Sequence, residues 1–273
     1  MIDFDKLFHV YMDNWIENNV SKFTTEDEMM DAASDAYVEW CNHPFKELDG
    51  LTPKEYFERI SDPKVLIEMF VSYSENDYKE PLLLLDRICE VKETVPFLID
   101  ILKREKSDEL TMYTVNILNE MQSVEPFGLY LGWIFDPKQD KDLRDLVNEV
   151  LVENSQEVKD KVLLKLKDAD LSSKEYASDI LVNCDEHNEQ IFDLLKEMFL
   201  SKTNLQLYAN YLGQYGDERA IEFLKNEAKT CDYISFIEIR NAVEQLGGEL
   251  DIERDFSHDK DFKKIKSIKP LNS

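Results

Sequence analysis

The sequence is poor in the residues that interrupt helices, with 7 glycines and 8 prolines among 273 positions. Glycine and proline are the strongest helix breakers, so their scarcity favours a helical protein with short connections and argues against a chain dominated by loops. Cysteine is scarce too, and its positions are far apart: Cys41, Cys89, Cys184 and Cys231. No Cys-x-x-Cys pair exists, so we predict no disulfide framework, and thiols that stay reduced in a cytoplasmic protein.

Positive charge is the second shortage. Lysine and arginine number 32 against 58 aspartates and glutamates, which gives a formal net charge of −26. Nucleic acids and anionic membrane surfaces are bound through clustered lysine and arginine, so we predict neither as a partner. The acidic surplus suits a basic protein or peptide partner, and it equally suits a solvated surface that only keeps the protein soluble.

Targeting and membrane features are also missing. The first six residues, MIDFDK, have neither a basic segment nor an apolar one, so we predict no signal peptide. No apolar run reaches the roughly 18 residues that a membrane span needs. We therefore expect a cytoplasmic protein without a membrane partner.

Motifs for catalysis and cofactor binding are absent from the sequence. There is no GxGxxG, Walker A or GxSxG pattern, and none of the four histidines lies in a metal-binding spacing. The acidic run at 251–261 lacks the glycine and the closing glutamate of a calcium loop. Cys41 and His43 form a conceivable thiolate–imidazole pair, and the alternative is a buried cysteine beside a loop that ends a helix. We predict a non-enzymatic protein with no cofactor, no metal and no catalytic residues.

What the sequence does contain is a periodic helical pattern, clearest at residues 204–248. An apolar stripe of Leu205, Tyr208, Ala209 and Leu212 predicts a helix, which Gly213 and Gly216 are expected to end. Similar apolar helix starts recur 30 to 33 residues apart, at Pro96, Pro126, Val158, Ile191 and Ile221. Such spacing is typical of repeated helix pairs, which bury their apolar faces against neighbouring copies.

Two of these stretches, residues 209–224 and 94–102, resemble HEAT-like repeats of the kind also found in phycobilisome lyases. The resemblance implies an all-α, right-handed α-α superhelix, a HEAT-like solenoid used mainly to hold other proteins. It carries no catalytic residues over, because the motif is structural. We predict an N-terminal helical cap at 1–79, HEAT-like helical repeats at 80–250 and a C-terminal tail at 251–273.

Tyrosines recur at corresponding points of the predicted second helices, at Tyr113, Tyr176 and Tyr208. In a HEAT-like solenoid the second helices line the concave face, so these side chains are candidate anchors for a partner. The alternative is that they pack between adjacent repeats. The first interpretation predicts a scaffold or adaptor that binds a protein or peptide on an acidic concave face. An enzyme accessory, such as a lyase-like chaperone, is the alternative from a different class.

Residues 40–60 form the most distinctive segment outside the repeats. They resemble the toxin-binding pattern of some bacterial antitoxins at these positions: Asn42, Pro44, Leu48, Gly50, Leu51, Thr52 and Pro53. The resemblance implies an antitoxin-like partner binder, although helix capping alone explains the end of the motif.

Lysines dominate the last part of the C-terminal tail, in contrast to the acidic body. They are Lys260, Lys263, Lys264, Lys266 and Lys269, with Asp261 alone opposing them. One hypothesis places this tail in the binding groove of its own chain, and the alternative is a frayed terminus.

Overall fold

A computed structural model describes residues 2–76, 78–104, 109–185 and 187–267 of the chain. Within those ranges the secondary structure consists of helices, with no β-strand. The all-α prediction is therefore confirmed. In the described ranges, no helix combines the length and the apolar character that crossing a membrane requires.

The chain divides into two compact units, residues 1–126 and 127–273. The predicted boundary after residue 79 thus lies inside the first unit. The first unit contains α1 (Phe4–Asn19), α2 (Glu26–Cys41), α3 (Pro53–Glu58), α4 (Pro63–Glu75), α5 (Leu82–Glu90), α6 (Val95–Leu102) and α7 (Glu109–Glu120). The second contains α8 (Phe127–Ile134), α9 (Lys141–Glu153), α10 (Ser155–Lys165), α11 (Leu171–Leu181), α12 (Glu189–Ser201), α13 (Leu205–Tyr215), α14 (Ala220–Glu227), α15 (Tyr233–Gln245) and α16 (Lys260–Ser267).

Short polar side chains fix where most of these helices begin. Thr52 and Glu55 form a complete capping box at the start of α3, and Pro53 occupies its first turn. Asp140, Asp170 and Asp232 accept a hydrogen bond from a first-turn amide of α9, α11 and α15. Each such cap contributes about 1 kcal/mol, since it satisfies an amide that has no partner inside the helix.

Aromatic side chains join the N-terminal helices to the rest of the first unit. The ring of Phe4 lies 4.8 Å from that of Phe57, and the ring of Phe8 lies 5.2 Å from that of Trp40. The hydroxyl of Tyr73, on α4, donates a 2.6 Å hydrogen bond to the carbonyl of Ile2. These contacts tie α1 to α2, α3 and α4, so the N-terminal helix is part of the core of the first unit.

In the second unit, the main helix contacts join helices that are one or two places apart along the chain. Helix α9 packs on α11, and α13 packs on α15, while α12 contacts both α11 and α13. Their apolar stripes account for this arrangement, since Leu151, Leu181, Leu212 and Val243 are fully buried. The apolar helix starts predicted from the periodic pattern all lie in a helix or directly before one: Pro96 in α6, Pro126 before α8, Val158 in α10, Ile191 in α12 and Ile221 in α14.

The end of α13 corrects the predicted roles of its two glycines. Gly213 lies inside the helix, and only Gly216 adopts the left-handed conformation that ends it, with φ of 78°. Gly247, which follows α15, has φ of 77°. The corresponding stop points are therefore Gly216 and Gly247, which are 31 residues apart.

The C-terminal tail is folded up to residue 267, which corrects the expectation of a frayed terminus over this range. Arg254 donates hydrogen bonds to the carbonyls of Ala228 and Cys231. The rings of Phe256 and Phe262 lie 5.2 Å and 4.9 Å from that of Tyr233, at the start of α15. The tail therefore covers the first turns of α15. Lys269, one of the five lysines of the basic run, lies outside the described residues.

Candidate functional site

The three tyrosines predicted as anchors differ in exposure. Tyr176, on α11, is half-buried, whereas Tyr208, on α13, is only 1% exposed. The burial of Tyr208 matches the alternative in which tyrosines pack between helices. Tyr113 belongs to the first unit, where it is half-buried. Burial is the main reason that the pKa of Tyr113 is raised.

Tyr211, three residues after Tyr208 on α13, is half-buried where Tyr208 is fully buried. Its hydroxyl donates a 2.7 Å hydrogen bond to Oδ1 of Asp179, on α11. The hydroxyl of Tyr176 donates a 2.5 Å hydrogen bond to Oδ1 of Asp145, on α9. Helix α11 thus presents a tyrosine that contacts an aspartate of α9, and α13 presents one that contacts an aspartate of α11.

Amide side chains extend this pattern along the same three helices. Nδ2 of Asn148 lies 2.5 Å from Oδ2 of Asp179, and Nε2 of Gln214 lies 3.1 Å from Oδ1 of Asn183. All four contacts join residues 31 or 32 positions apart. We call this set the polar ladder; it consists of Asp145, Asn148, Tyr176, Asp179, Asn183, Tyr211 and Gln214. This even spacing shows that corresponding positions of α9, α11 and α13 lie side by side.

A buried arginine supports the first step of the polar ladder. Arg144 is only 5% exposed, and its guanidinium donates hydrogen bonds to the carbonyl of Ile134, at 2.6 Å, and to the hydroxyl of Ser172, at 3.1 Å. The guanidinium carbon lies 4.5 Å from the centre of the Tyr176 ring. This cation–π contact and the hydrogen bond to Asp145 together hold the Tyr176 side chain in place.

The ionisation of the ladder follows from these contacts. Burial alone would raise the pKa of Asp145, but hydrogen bonds from Lys141 and Tyr176 hold it below its usual value. Burial, followed by the bond to Asp145, raises the pKa of Tyr176 to about 12. Burial and the bond to Asp179 also raise the pKa of Tyr211. At neutral pH, the Asp145 carboxylate is therefore ionised and both phenols are neutral.

The ladder combines buried and solvent-facing groups. Gln214 and Asn183 are exposed, and so are the neighbouring carboxylates of Glu149 and Glu175. Asn148 is only 6% exposed, and within the described chain its Oδ1 accepts no hydrogen bond. Such a surface can hydrogen-bond a peptide backbone through its amides and attract basic side chains through its carboxylates.

The Cys41 and His43 pair is not assembled as a catalytic dyad. The His43 ring packs against Tyr11 and Phe45, at 5.5 Å and 5.0 Å. Cys41 lines a cavity of about 310 Å³ with the carboxylates of Asp86 and Glu90, but His43 is not among its lining residues. Burial raises the pKa of the Cys41 thiol, which disfavours the nucleophilic thiolate. Among the described residues, no group of three or more histidine, cysteine, aspartate or glutamate side chains is placed to hold a metal ion.

The antitoxin-like motif at 42–53 has a structural role at several of its positions. Leu48 is 2% exposed and Pro53 is buried. Gly50 has φ of 81°, a conformation that favours glycine, and Thr52 caps α3. Asn42 donates its amide to the carbonyl of Val38. Local folding therefore accounts for these residues without a partner.

Comparison of the chain with protein-family models, with curated proteins and with solved structures finds no match.

Proposed function

We propose that this protein is a non-enzymatic interaction scaffold of HEAT-like repeats in a right-handed superhelix, and that the polar ladder binds a basic segment of another protein. The observation that carries the proposal is the ladder itself. Its contacts repeat at 31 or 32 residues on three successive second helices. A repeated set of polar groups suits an extended segment, because a peptide presents its own backbone groups at regular intervals.

The charges around the ladder favour a basic occupant. Asp145 and Asp179 lie within the ladder, and the exposed Glu149 and Glu175 are the sequence neighbours of Asn148 and Tyr176. Lys141 pairs with Asp145 at 2.7 Å, but its side chain is 80% exposed. An incoming lysine or arginine can displace such a surface pair at little cost, since exposed ion pairs contribute only about 0–1 kcal/mol.

A cytoplasmic location forms part of the same proposal. All four cysteines are free thiols, and three of them are buried. Burial raises the pKa values of Cys41, Cys184 and Cys231, so these thiols are poorly reactive and have a packing role. Thiols of this kind suit a reducing compartment.

Site-specific photo-crosslinking in source cells tests where a partner binds. A p-benzoylphenylalanine in place of Gln214 lies on the exposed end of the ladder, and the same residue in place of Leu200, which is 52% exposed on α12, is the matched control. We expect a defined protein adduct from position 214 and none from position 200. Equal adducts from both positions, or none from 214, would contradict the proposal. A third position, the exposed Lys46, tests the antitoxin-like alternative.

A pair of charge-matched variants then tests the chemistry of binding. Asp179→Asn removes the carboxylate that accepts hydrogen bonds from both Asn148 and Tyr211, and Asp193→Asn removes an exposed carboxylate on α12. Both variants change the net charge by one. With the captured partner, we expect roughly tenfold weaker binding for Asp179→Asn, in line with the loss of charge-assisted hydrogen bonds, and little change for Asp193→Asn. Equal weakening would mean that only the overall negative charge matters.

A further inference from the structure

The second unit contains a groove whose charge is opposite to that of the chain. The groove has a volume of about 550 Å³ and lies between α12 and α14. Four of the side chains that line it are cationic and one is anionic, although acidic residues outnumber basic ones by 58 to 32 in the chain as a whole. The lining consists of Lys196, Arg219, Glu222, Phe223, Lys225, Asn226 and Lys229. We call this set the basic groove.

Aromatic packing holds the two sides of the basic groove together. The ring of Phe223, on α14, lies 5.6 Å from that of Phe199 and 6.3 Å from that of Phe192, both on α12. The ammonium of Lys196 lies 5.7 Å from the centre of the Phe223 ring. This cation–π contact keeps Lys196 beside a ring that lines the groove. The groove is therefore formed by the packing of α12 against α14 and does not need a ligand to create it.

Three cations of the basic groove have no carboxylate partner. Within the described ranges, Lys196, Lys225 and Lys229 form no ion pair, and Lys229 donates a long hydrogen bond, of 3.4 Å, to Oδ1 of Asn226. Arg219 differs, because it is already paired with two carboxylates, at 2.6 Å and 2.8 Å. The groove thus presents three ammonium groups that are available to an anion.

Charge and size together define the anion that fits. Lysine binds phosphate as a compact point charge. Linked phosphate groups carry several charges within a few ångströms, so one such ligand can meet all three lysines, whereas a single carboxylate cannot. Glu222 offsets only one of the three ammonium charges. The volume of about 550 Å³ lies within the roughly 300–1,000 Å³ of small-molecule sites.

The net charge of −26 does not prevent anion binding at this place. At physiological ionic strength, exposed charges more than about 8 Å apart are largely screened from each other. The lysines of the groove therefore act on a bound anion more strongly than the distant carboxylates do. Elsewhere on the acidic surface the same carboxylates repel an anion, which favours the groove over non-specific binding.

We propose that the basic groove binds a small anion with two or more linked phosphate groups, held by Lys196, Lys225 and Lys229. This chemistry occurs in free polyphosphates and in the phosphate chain of nucleotides. Residues of the basic groove and of the polar ladder do not overlap. The site is therefore independent of any partner on the ladder, and neither proposal depends on the other.

Isothermal titration of the full-length protein with three probes, at physiological ionic strength and without magnesium, tests the ligand class. We expect saturable binding of inorganic triphosphate, and roughly tenfold weaker binding of inorganic phosphate, which lacks the linked charges. ATP is the third probe. Equal affinity for ATP and triphosphate would support recognition of the phosphate chain alone, and tighter binding of ATP would support a nucleotide. No saturable binding of triphosphate or ATP would overturn the proposal.

Two charge-matched double variants then locate the site. Lys196→Gln/Lys225→Gln removes two cations of the basic groove, and Lys263→Gln/Lys264→Gln removes two exposed cations of the other lysine cluster, on α16. We expect triphosphate binding to weaken at least about tenfold in the first variant and to persist in the second. Equal weakening in both, or a loss confined to the α16 variant, would overturn the proposal.

Amide signals of the ¹⁵N-labelled wild type give a second measurement that needs no substitution. Triphosphate should shift the signals of Lys196 and of residues 222–229, which line or neighbour the groove. Shifts confined to residues 260–267 would place the anion on α16 and overturn the assignment to the groove.

Discussion

Replacing Gly213 by alanine tests the packing of α13 against α15 directly. A Cβ atom built at Gly213 would overlap Oε1 of Gln245 and lie 3.0 Å from Cα and 3.2 Å from Cβ of Ala242. Gln245 is exposed, so its side chain can turn away. The Cα atom of Ala242 belongs to the backbone of α15, so relief of that contact requires the two helices to separate.

Two opposing effects set the magnitude of this change. Alanine is favoured over glycine inside a helix by about 1 kcal/mol. An extra methyl group in a closely packed contact costs about 1–3 kcal/mol. Since the contact with Ala242 lies at the edge of what packing tolerates, we expect Gly213→Ala to lower the free energy of unfolding by about 1 kcal/mol, as the difference between these effects.

Gly132→Ala is the matched control, because Gly132 lies in the interior of α8 and a Cβ there meets no atom within 4 Å. It should raise the free energy of unfolding by about 0.5–1 kcal/mol. Both glycines belong to the second unit, so urea unfolding followed by circular dichroism reports on the same unit for both variants. If Gly213→Ala stabilised the protein as much as Gly132→Ala, the close contact between α13 and α15 would be refuted.

Two further predictions concern α13 and the C-terminal tail. Leu212 is fully buried on α13, so Leu212→Ala should lower the free energy of unfolding by about 2–5 kcal/mol; a loss below about 0.5 kcal/mol in urea unfolding would contradict its burial. Asp259 accepts hydrogen bonds from the amides of Phe262, Tyr233 and Asp261, and these contacts lower its pKa below the ordinary 3.8. A lowered pKa gives stability that is present above pH 3.8 and lost as the pH falls through the folded-state value. As the pH falls through that folded-state value, residues 260–267 of the wild type should therefore become less ordered, and their amide signals should report the change. The same signals should depend less on pH in Asp259→Asn.

The helices of the second unit were predictable because two kinds of local signal agree there. The apolar stripe of α13 has helical spacing, and all of Tyr208, Ala209 and Leu212 are buried as that stripe predicts. A polar residue before the helix, Asn204, accepts a hydrogen bond from the amide of Leu207. Both signals come from α13 itself and the residue directly before it, so neither requires knowledge of the neighbouring helices.

The tyrosine of the ladder was harder to predict, because Tyr208 and Tyr211 share the same helix three residues apart. Periodicity places both tyrosines near the apolar stripe. Which of the two is more deeply buried depends on how α13 packs against α11. Tyr208 turns inward at 1% exposure, while Tyr211 reaches Asp179 at the edge. The useful sequence signal was a pair of aspartates at matching distances. Asp179 lies 32 residues before Tyr211, and Asp145 lies 31 residues before Tyr176. A tyrosine alone carries no such information.

The tail was mispredicted for a related reason. Phe256 and Phe262 have no helical spacing with one another, so the segment shows no apolar stripe. Their partners are Tyr233 and Phe236, which lie 20 to 29 residues earlier in the chain. Arg254 likewise bonds to carbonyls that α14 and the following turn leave open. Long-range aromatic and cation contacts of this kind stabilise a segment that local propensity leaves undefined.

The net charge of −26 overstates how many carboxylates are free to pair with a ligand. Several aspartates serve as helix caps, among them Asp62, Asp140, Asp170 and Asp232, and their carboxylates are already bonded to backbone amides. A carboxylate in that position stabilises its helix and is less free to pair with a ligand. Asp145 and Asp179 of the polar ladder are different, because neither occupies the N-cap position of its helix. Under the proposed function, selectivity for a basic segment must therefore arise from the placement of a few carboxylates, and the composition of the chain alone does not identify them.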